Sequence, residues 1–268
     1  MMLRAVEAGQ GAPVVLLHGL FGRAQNLGGV ARHLAALGRR VISLDLRNHG
    51  ASPHADGMRY ADLAADVVET VGAMDALPAA VLGHSMGGKV AMAMALVEGG
   101  SVDRILVADI APIAYRHGNA RIARAMMDLP LRPGMTRGDA GDALRQAVPD
   151  DGVRAFLLQN FVPGAAPAWR IGLREIADGL ADIEGWPDWP EQVRFNGPAL
   201  FVTGALSDYV PESARGAILE RFPRARIVRL EGAGHWLHAD RPEPFAAIAA
   251  GFLAADGDGR KEIPDLAS

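Results

Sequence analysis

The chain has 268 residues, half of them hydrophobic and 22% charged, enough apolar material for one large α/β core with an insertion. A formal net charge of −4 argues against a nucleic-acid or acidic-membrane binder. The absence of cysteine excludes a disulfide framework, a thiol nucleophile and a thiolate metal site. Residues Met1 to Glu7 lack the apolar stretch of a signal peptide, and no apolar run approaches the ~20 residues of a membrane span. A cytoplasmic protein is expected, with a small-molecule partner rather than a membrane or a nucleic acid.

In chain order, Val14 to Leu17 is an apolar run that predicts an inner parallel strand, followed by the glycine-flanked loop His18-Gly19-Leu20-Phe21-Gly22. Leu27, Val30, Leu34 and Leu37 recur at helical spacing, so a helix is predicted over Asn26 to Leu37 with Gly38 as its stop. Val41 to Leu44 is the next strand, and Asp45 to Ser52 a polar turn. Tyr60 to Leu77 reads as an amphipathic helix with Leu63, Val67, Val71 and Met74 on one face. The strand Ala79 to Leu82 then runs into Gly83-His84-Ser85-Met86-Gly87, and the small-residue segment Val90 to Val97 reads as a tightly packed helix. Arg104 to Ala108 is another strand. This alternation implies a mostly parallel sheet with helices on both faces.

The rhythm breaks after Pro112. From Ile113 to Val193 there are helical patches interrupted by prolines and no convincing strand, with Met126, Met127, Phe156, Phe161, Trp169, Trp186 and Trp189 among the apolar residues. Residues 113–193 are therefore expected to form an inserted helical cap over the active edge of the sheet. The core is then discontinuous, 1–112 and 194–255. Its remaining elements are strands Ala199 to Thr203 and Arg226 to Leu230 and helices Ser213 to Phe222 and Pro242 to Leu253. The polar end of the chain, 256–268, is expected to be a frayed tail.

The chemistry centres on Ser85. A G-x-S-x-G between a strand and a helix forces a sharp turn that lifts the serine hydroxyl out of the sheet. It also aims the unpaired N–H groups of the next helix at any negative charge forming there. A serine becomes a nucleophile only when a base takes its proton. His235, in the loop Gly232 to Trp236 after the last strand, is the candidate base, and His238, in more regular structure, is less well placed. An acid must orient the imidazole, and the residues leave two choices, Asp109 after one strand and Asp208 after another. The oxyanion needs two backbone donors. Met86 gives one and Leu20 or Phe21 the other, with Leu20 preferred and Phe21 expected to face the substrate. The histidines near the strand ends, His18, His49 and His235, show no metal-ligand spacing, and no phosphate-binding glycine loop is present, so neither metal nor cofactor is expected.

The segments His18-Gly19-Leu20-Phe21-Gly22, Asp45 to Ser52, Gly83 to Lys89, Asp109-Ile110-Ala111-Pro112 and Gly234-His235 resemble the serine esterases of the α/β-hydrolase superfamily. Within it they resemble the bacterial YbfF-type esterases and their mitochondrial relatives, over about residues 10–255. The superfamily places its acid three residues beyond the glycine after the penultimate strand, a position held here by Ser207, with Asp208 one later. In the YbfF-like group the aspartate one strand earlier substitutes, and here it is Asp109. The resemblance thus implies Asp109, with Ser207 as its hydrogen-bonding partner, over Asp208.

The function so implied is hydrolysis of small carboxylic esters or thioesters, of short to medium acyl chains, through an acyl-enzyme. Two other readings use the same fold: a ligand-binding sensor that turns over slowly or never, and a cofactor-free haloperoxidase. Arg116, Arg121, Arg124 and Arg170 either engage an anionic substrate such as an acyl-CoA, Arg121 foremost, or are solvated helix faces.

Overall fold

Side chains alternate across a strand, so an inner strand that is apolar throughout must find cover on both faces. The computed structural model, which describes residues 1–115 and 118–253, provides that cover. Its main sheet contains β1 (Arg4–Ala8), β2 (Pro13–Leu17), β3 (Arg40–Asp45), β4 (Ala79–His84), β5 (Val102–Ala108), β8 (Ala199–Gly204) and β9 (Ala225–Leu230); β6 (Phe161–Val162) and β7 (Ala168–Trp169) pair separately. The strand order is β1-β3-β2-β4-β5-β8-β9, with β1 antiparallel at the edge and the other pairs parallel.

The helices are α1 (Gly28–Ala36), α2 (Tyr60–Gly72), α3 (Met86–Val97), α4 (Asn119–Met127), α5 (Arg137–Leu144), α6 (Asp151–Leu158), α7 (Leu173–Asp178), α8 (Leu180–Glu184), α9 (Arg215–Arg221), α10 (Leu237–Asp240) and α11 (Pro242–Leu253). Val14, Leu16, Leu82, Leu106 and Leu200 point to one face and pack with Leu34 of α1 and Phe245 and Ile248 of α11. Their neighbours Val15, Leu17, Val81, Val107 and Phe201 point to the other, against Val67 of α2 and Val90 of α3. Each such side chain, fully buried, contributes about 1.5–3 kcal/mol. The predicted doubly covered sheet is the fold of this chain.

Several predicted boundaries shift. β1 was not expected; most of its positions are exposed, so it carries no alternating apolar signal. The helix predicted to run to Leu77 ends at Gly72, where Ala76 N–H turns back to Val71 O with Asp75 at φ 52°, so Met74 lies in a turn. The first helix begins at Gly28, after a single 3₁₀ turn over Ala24–Leu27. Ser213 likewise belongs to a 3₁₀ turn that precedes α9.

Between β5 and β8 the chain forms α4 to α8 and the two-residue strands β6 and β7, too short for any sequence pattern to announce. This segment is tied to the loops at the C-terminal ends of the inner strands. Asn160 Nδ2 donates to Phe21 O (2.7 Å), Gly172 N–H to Asn48 O (2.9 Å), and Lys89 Nζ to Gly185 O (2.6 Å). Tyr60 Oη donates to Ile183 O at 2.6 Å. Arg116 and the predicted tail lie outside the described residues. Among the described residues no helix is long and apolar enough to cross a membrane.

Candidate active site

β4 passes into α3 through one residue, Ser85, whose backbone sits at φ 52°, ψ −121°. A non-glycine residue in that region is strained and persists only where its surroundings enforce it. They do so here by close approach: a Cβ on Gly83 would lie 2.1 Å from Gly87 O, and one on Gly87 would lie 2.3 Å from Leu17 O. The glycines of the motif therefore let strand, turn and helix touch backbone to backbone. Ser85 N–H donates to Ala108 O at 3.0 Å, which ties the turn to the end of β5. One residue on, Asp109 also has a positive φ, 52°, and its N–H donates to Val202 O of β8 at 2.8 Å.

These strand ends bring three side chains into line. Ser85 Oγ lies 3.0 Å from His235 Nε2, and His235 Nδ1 lies 2.8 Å from Asp109 Oδ2. Asp109 is fully buried, and three groups compensate its carboxylate: His235, the Gly204 N–H on Oδ1 (2.8 Å) and the Ser207 hydroxyl on Oδ2. Ser207 also accepts the Tyr209 N–H at 3.2 Å. Asp208, the alternative acid, is exposed. The carboxylate on Nδ1 holds the imidazole with Nε2 free to accept the serine proton.

The imidazole is held on other sides too. Tyr209 stacks on it with centroids 3.6 Å apart at 17°, and His84 Nε2 donates to the His235 carbonyl at 2.8 Å. His238 packs edge-on against His84, and burial pushes its pKa down to about 4. It lines the same cavity without touching the serine.

The loop after β2 is fixed by two buried histidines, His18 at its own start and His49 in the turn after β3. His49 Nε2 accepts the Phe21 N–H at 3.1 Å while its Nδ1–H donates to Arg47 O at 2.8 Å. His18 Nε2 accepts the Leu46 N–H at 3.0 Å while its Nδ1–H donates to Gly19 O at 2.8 Å. Both rings must stay neutral to accept these bonds. Burial enforces it, lowering the pKa of His18 to about 4 and that of His49 to about 3. The Gly22 N–H is bonded to Gly19 O and the Phe21 N–H to His49 Nε2, so both of these donors are engaged. The Met86 N–H, first of α3, has no intrahelical acceptor.

A cavity of ≈ 1070 Å³ opens over Ser85, bordered by the loop after β2, α6 and the His235 loop. Leu20, Phe21, Phe156 and Trp236 line it. Arg121 does not: it is exposed on α4, whose Asn119 and Ile122 face the cavity instead. The expectation of Arg121 as a substrate contact is corrected accordingly, because its helix turns that position outward. Arg124 pairs with Asp128 on the surface, and Arg170 is exposed. Arg23 is the arginine that lines the cavity, together with Asp150 and Asp240. A second hollow of ≈ 50 Å³ also borders Ser85 and is lined by Met86, Lys89 and Tyr60. Lys89 sits over the Tyr60 and Tyr115 rings, and burial lowers its pKa to about 7. Among the described residues no cluster of acids and histidines fits a metal ion.

Residues 14–248 match the model of the "Alpha/beta hydrolase family". The chain belongs to that family. It is 39% identical over 245 residues to "Esterase YbfF" of Escherichia coli (strain K12), covering 90% of this chain and 93% of that protein. It is 37% identical over 251 residues to "sn-1-specific diacylglycerol lipase ABHD11" of Xenopus tropicalis, covering 91% and 78%. A solved "Marine microorganism esterase" superposes with a TM-score of 0.90 at 32% identity, covering 94% of this chain and 99% of that one.

Sequence reasoning missed several residues of this hydrolase's site. Tyr209 follows Asp208 directly, but nothing in its neighbourhood announces a ring stacked on an imidazole. Asn160 reaches the loop after β2 at Phe21, and Ile183 reaches Tyr60 at the start of α2, each across more than a hundred residues, a separation that no local pattern encodes. His49 was legible in principle, as a histidine closing a polar turn at the strand end beside the loop it supports.

Proposed function

We propose that this hydrolase cleaves small carboxylic esters or thioesters, of short to medium acyl chain, through an acyl-enzyme on Ser85. The observation that carries the reading is the unbroken line Ser85 Oγ to His235 Nε2 (3.0 Å) and His235 Nδ1 to the buried Asp109 (2.8 Å). Ser85 Oγ attacks the carbonyl carbon as its proton passes to His235 Nε2. The tetrahedral oxyanion accepts the Leu20 and Met86 N–H groups, each such donor being worth ~3 kcal/mol. Collapse breaks the ester or thioester bond, and His235 returns its proton to the leaving oxygen or sulfur. Water, deprotonated by the same imidazole, then attacks the acyl carbon and frees Ser85. Residues 113–193 act as the cap: Phe156 lines the cavity, and Asn160 and Gly172 bond to the loops around the site. The names of the relatives, an esterase and a diacylglycerol lipase, support ester cleavage.

The test is Ser85→Ala. Hydrolysis of p-nitrophenyl acetate should fall ~10⁶-fold in kcat, as in a comparable serine-histidine enzyme, and a fluorophosphonate should label the wild type at Ser85 and leave the variant unlabelled. His235→Ala should cost nearly as much. Label on another residue, or activity surviving in Ser85→Ala, would reject the reading.

A further inference from the structure

Two hollows of very different size meet at Ser85. Leu20, Ser85, Asn119 and Tyr209 border both, so they are compartments of one space. His235, Phe156 and Trp236 line only the larger, and Met86, Lys89 and Ile183 only the smaller. We propose that the two compartments divide one substrate: the ≈ 50 Å³ hollow takes a short acyl chain, acetyl to butyryl, and the ≈ 1070 Å³ cavity takes a bulky alcohol or thiol. The division rests on the hydrolase reading above and follows from where the proton must go. His235 Nε2 can protonate only a leaving atom on its own side of Ser85, so the alcohol or thiol extends into the compartment that His235 lines. The acyl chain, which must point away from that leaving atom, takes the compartment that Met86 lines and His235 does not.

The small compartment also has a fixed back wall. Lys89 Nζ is held by Gly185 O at 2.6 Å and the Tyr60 hydroxyl by Ile183 O at 2.6 Å, so neither side chain retreats without losing a buried hydrogen bond.

Purified protein assayed with two ester series tests the division. With p-nitrophenol as leaving group, kcat/KM should be highest between acetyl and butyryl and fall about tenfold for the first methylene that no longer fits. With the acyl group fixed as acetyl, phenyl, 2-naphthyl and 4-biphenylyl esters, which match in leaving-group acidity, should be cleaved equally well or better as the ring system grows. A preference for octanoyl over acetyl, or a tenfold loss from phenyl to biphenylyl acetate, would overturn the division. Ile183→Ala should raise the hexanoyl-to-acetyl ratio about tenfold and leave the naphthyl-to-phenyl ratio in place, whereas Phe156→Ala should move only the second ratio. Parallel shifts of both ratios in both variants would also overturn it. Fluorophosphonate labelling keeps the two failures apart. Labelled, active enzyme with the wrong preferences rejects the division alone, and protein that neither hydrolyses an ester nor takes label at Ser85 rejects the hydrolase reading and the division with it.

Discussion

Around Ser85 the backbone has no room to do anything else. Gly83, Gly87 and the end of β2 are in contact, and Ser85 and Asp109 are each held at positive φ by hydrogen bonds to the neighbouring strand. The segment between β5 and β8 is built otherwise. Its helices are five to nine residues long, and some of its exposed arginines pair within about one turn of their own helix, as Arg124 does with Asp128 and Arg145 with Asp142. It meets the rest of the molecule through individual bonds, such as Asn160 to Phe21 O, and through buried side chains such as Met126, Leu157, Ile176 and Ile183, which pack in the same cluster as Leu17 and Val81. The difference separates two tasks. Reacting groups must be placed within fractions of an ångström, and the turn at Ser85 supplies that rigidity. Choice of substrate depends on the walls around them, which are shared: the loop after β2 and the His235 loop supply Phe21 and Trp236, and the segment between β5 and β8 adds Ile122 and Phe156.

The largest test of this contrast after loss of the serine is at the acid. Asp109→Asn keeps the shape of the side chain but presents an amide to His235, which favours the wrong tautomer; the corresponding change in the best-studied triad costs ~10⁴ in kcat. Asp208→Asn, at an exposed position one residue beyond Ser207, should change kcat less than about twofold. Circular dichroism on both variants checks folding. An active Asp109→Asn beside an inactive Asp208→Asn would reverse the assignment and place the rigid centre on a loop.

Legibility in the sequence follows the same division. Gly83 to Gly88 could be read because steric need acts between residues a few positions apart, and α11 because Pro242 starts it and its apolar spacing persists to Leu253. His235 could be read from its place after the last strand. The choice between Asp109 and Asp208 came only from resemblance: both follow strands, and what distinguishes them in the structure is that Gly204 N–H and the Ser207 hydroxyl converge on Asp109 from another strand end. Arg121 was misread because a helix of nine residues with a mixed surface does not declare which side meets the cavity. The edge strand β1 was missed for a related reason, since backbone pairing with β3 forms it without burying an apolar face.

Acid should act on the rigid side. His18, His49 and His238 have folded pKa values lowered by burial to about 4, 3 and 4, and His84 is lowered as well, while an unfolded histidine titrates near 6.5. Between those values the unfolded chain binds more protons than the folded one, so stability is complete above about pH 6.5 and falls as the pH drops toward 4. The loss should amount to a few kcal/mol by pH 5, read as a lower urea midpoint than at pH 7. His49→Gln, which keeps an acceptor for the Phe21 N–H, should flatten part of that slope. An unchanged midpoint between pH 7 and 5 would mean that these rings are not held neutral by the fold.

A smaller effect is expected at Ser207. Its hydroxyl shares Asp109 Oδ2 with His235 Nδ1, so it steadies the carboxylate without touching the serine. Ser207→Ala removes one neutral donor from a carboxylate that keeps the Gly204 N–H, and should lower kcat about tenfold with KM little changed. A loss approaching that of Asp109→Asn would show that Ser207 sets the position of the acid rather than supporting it.

The smallest effect separates two arginines and tests the cavity wall directly. Arg23 borders the large cavity from the loop after β2, and Arg121 faces solvent from α4. The leaving portion of a coenzyme A thioester carries phosphates, which a cation on the cavity wall attracts. Asp150 and Asp240 line the same cavity and oppose that attraction, so the net gain resembles an exposed ion pair, about 1 kcal/mol or less. Arg23→Ala should therefore lower kcat/KM for acetyl-CoA by at most about fivefold relative to phenyl acetate, and added salt should shrink the difference. Arg121→Ala should leave that ratio where it is. If Arg121→Ala weakens acetyl-CoA cleavage more than Arg23→Ala does, α4 must turn its outer face toward the substrate during turnover, and the wall seen here is not the one the substrate meets.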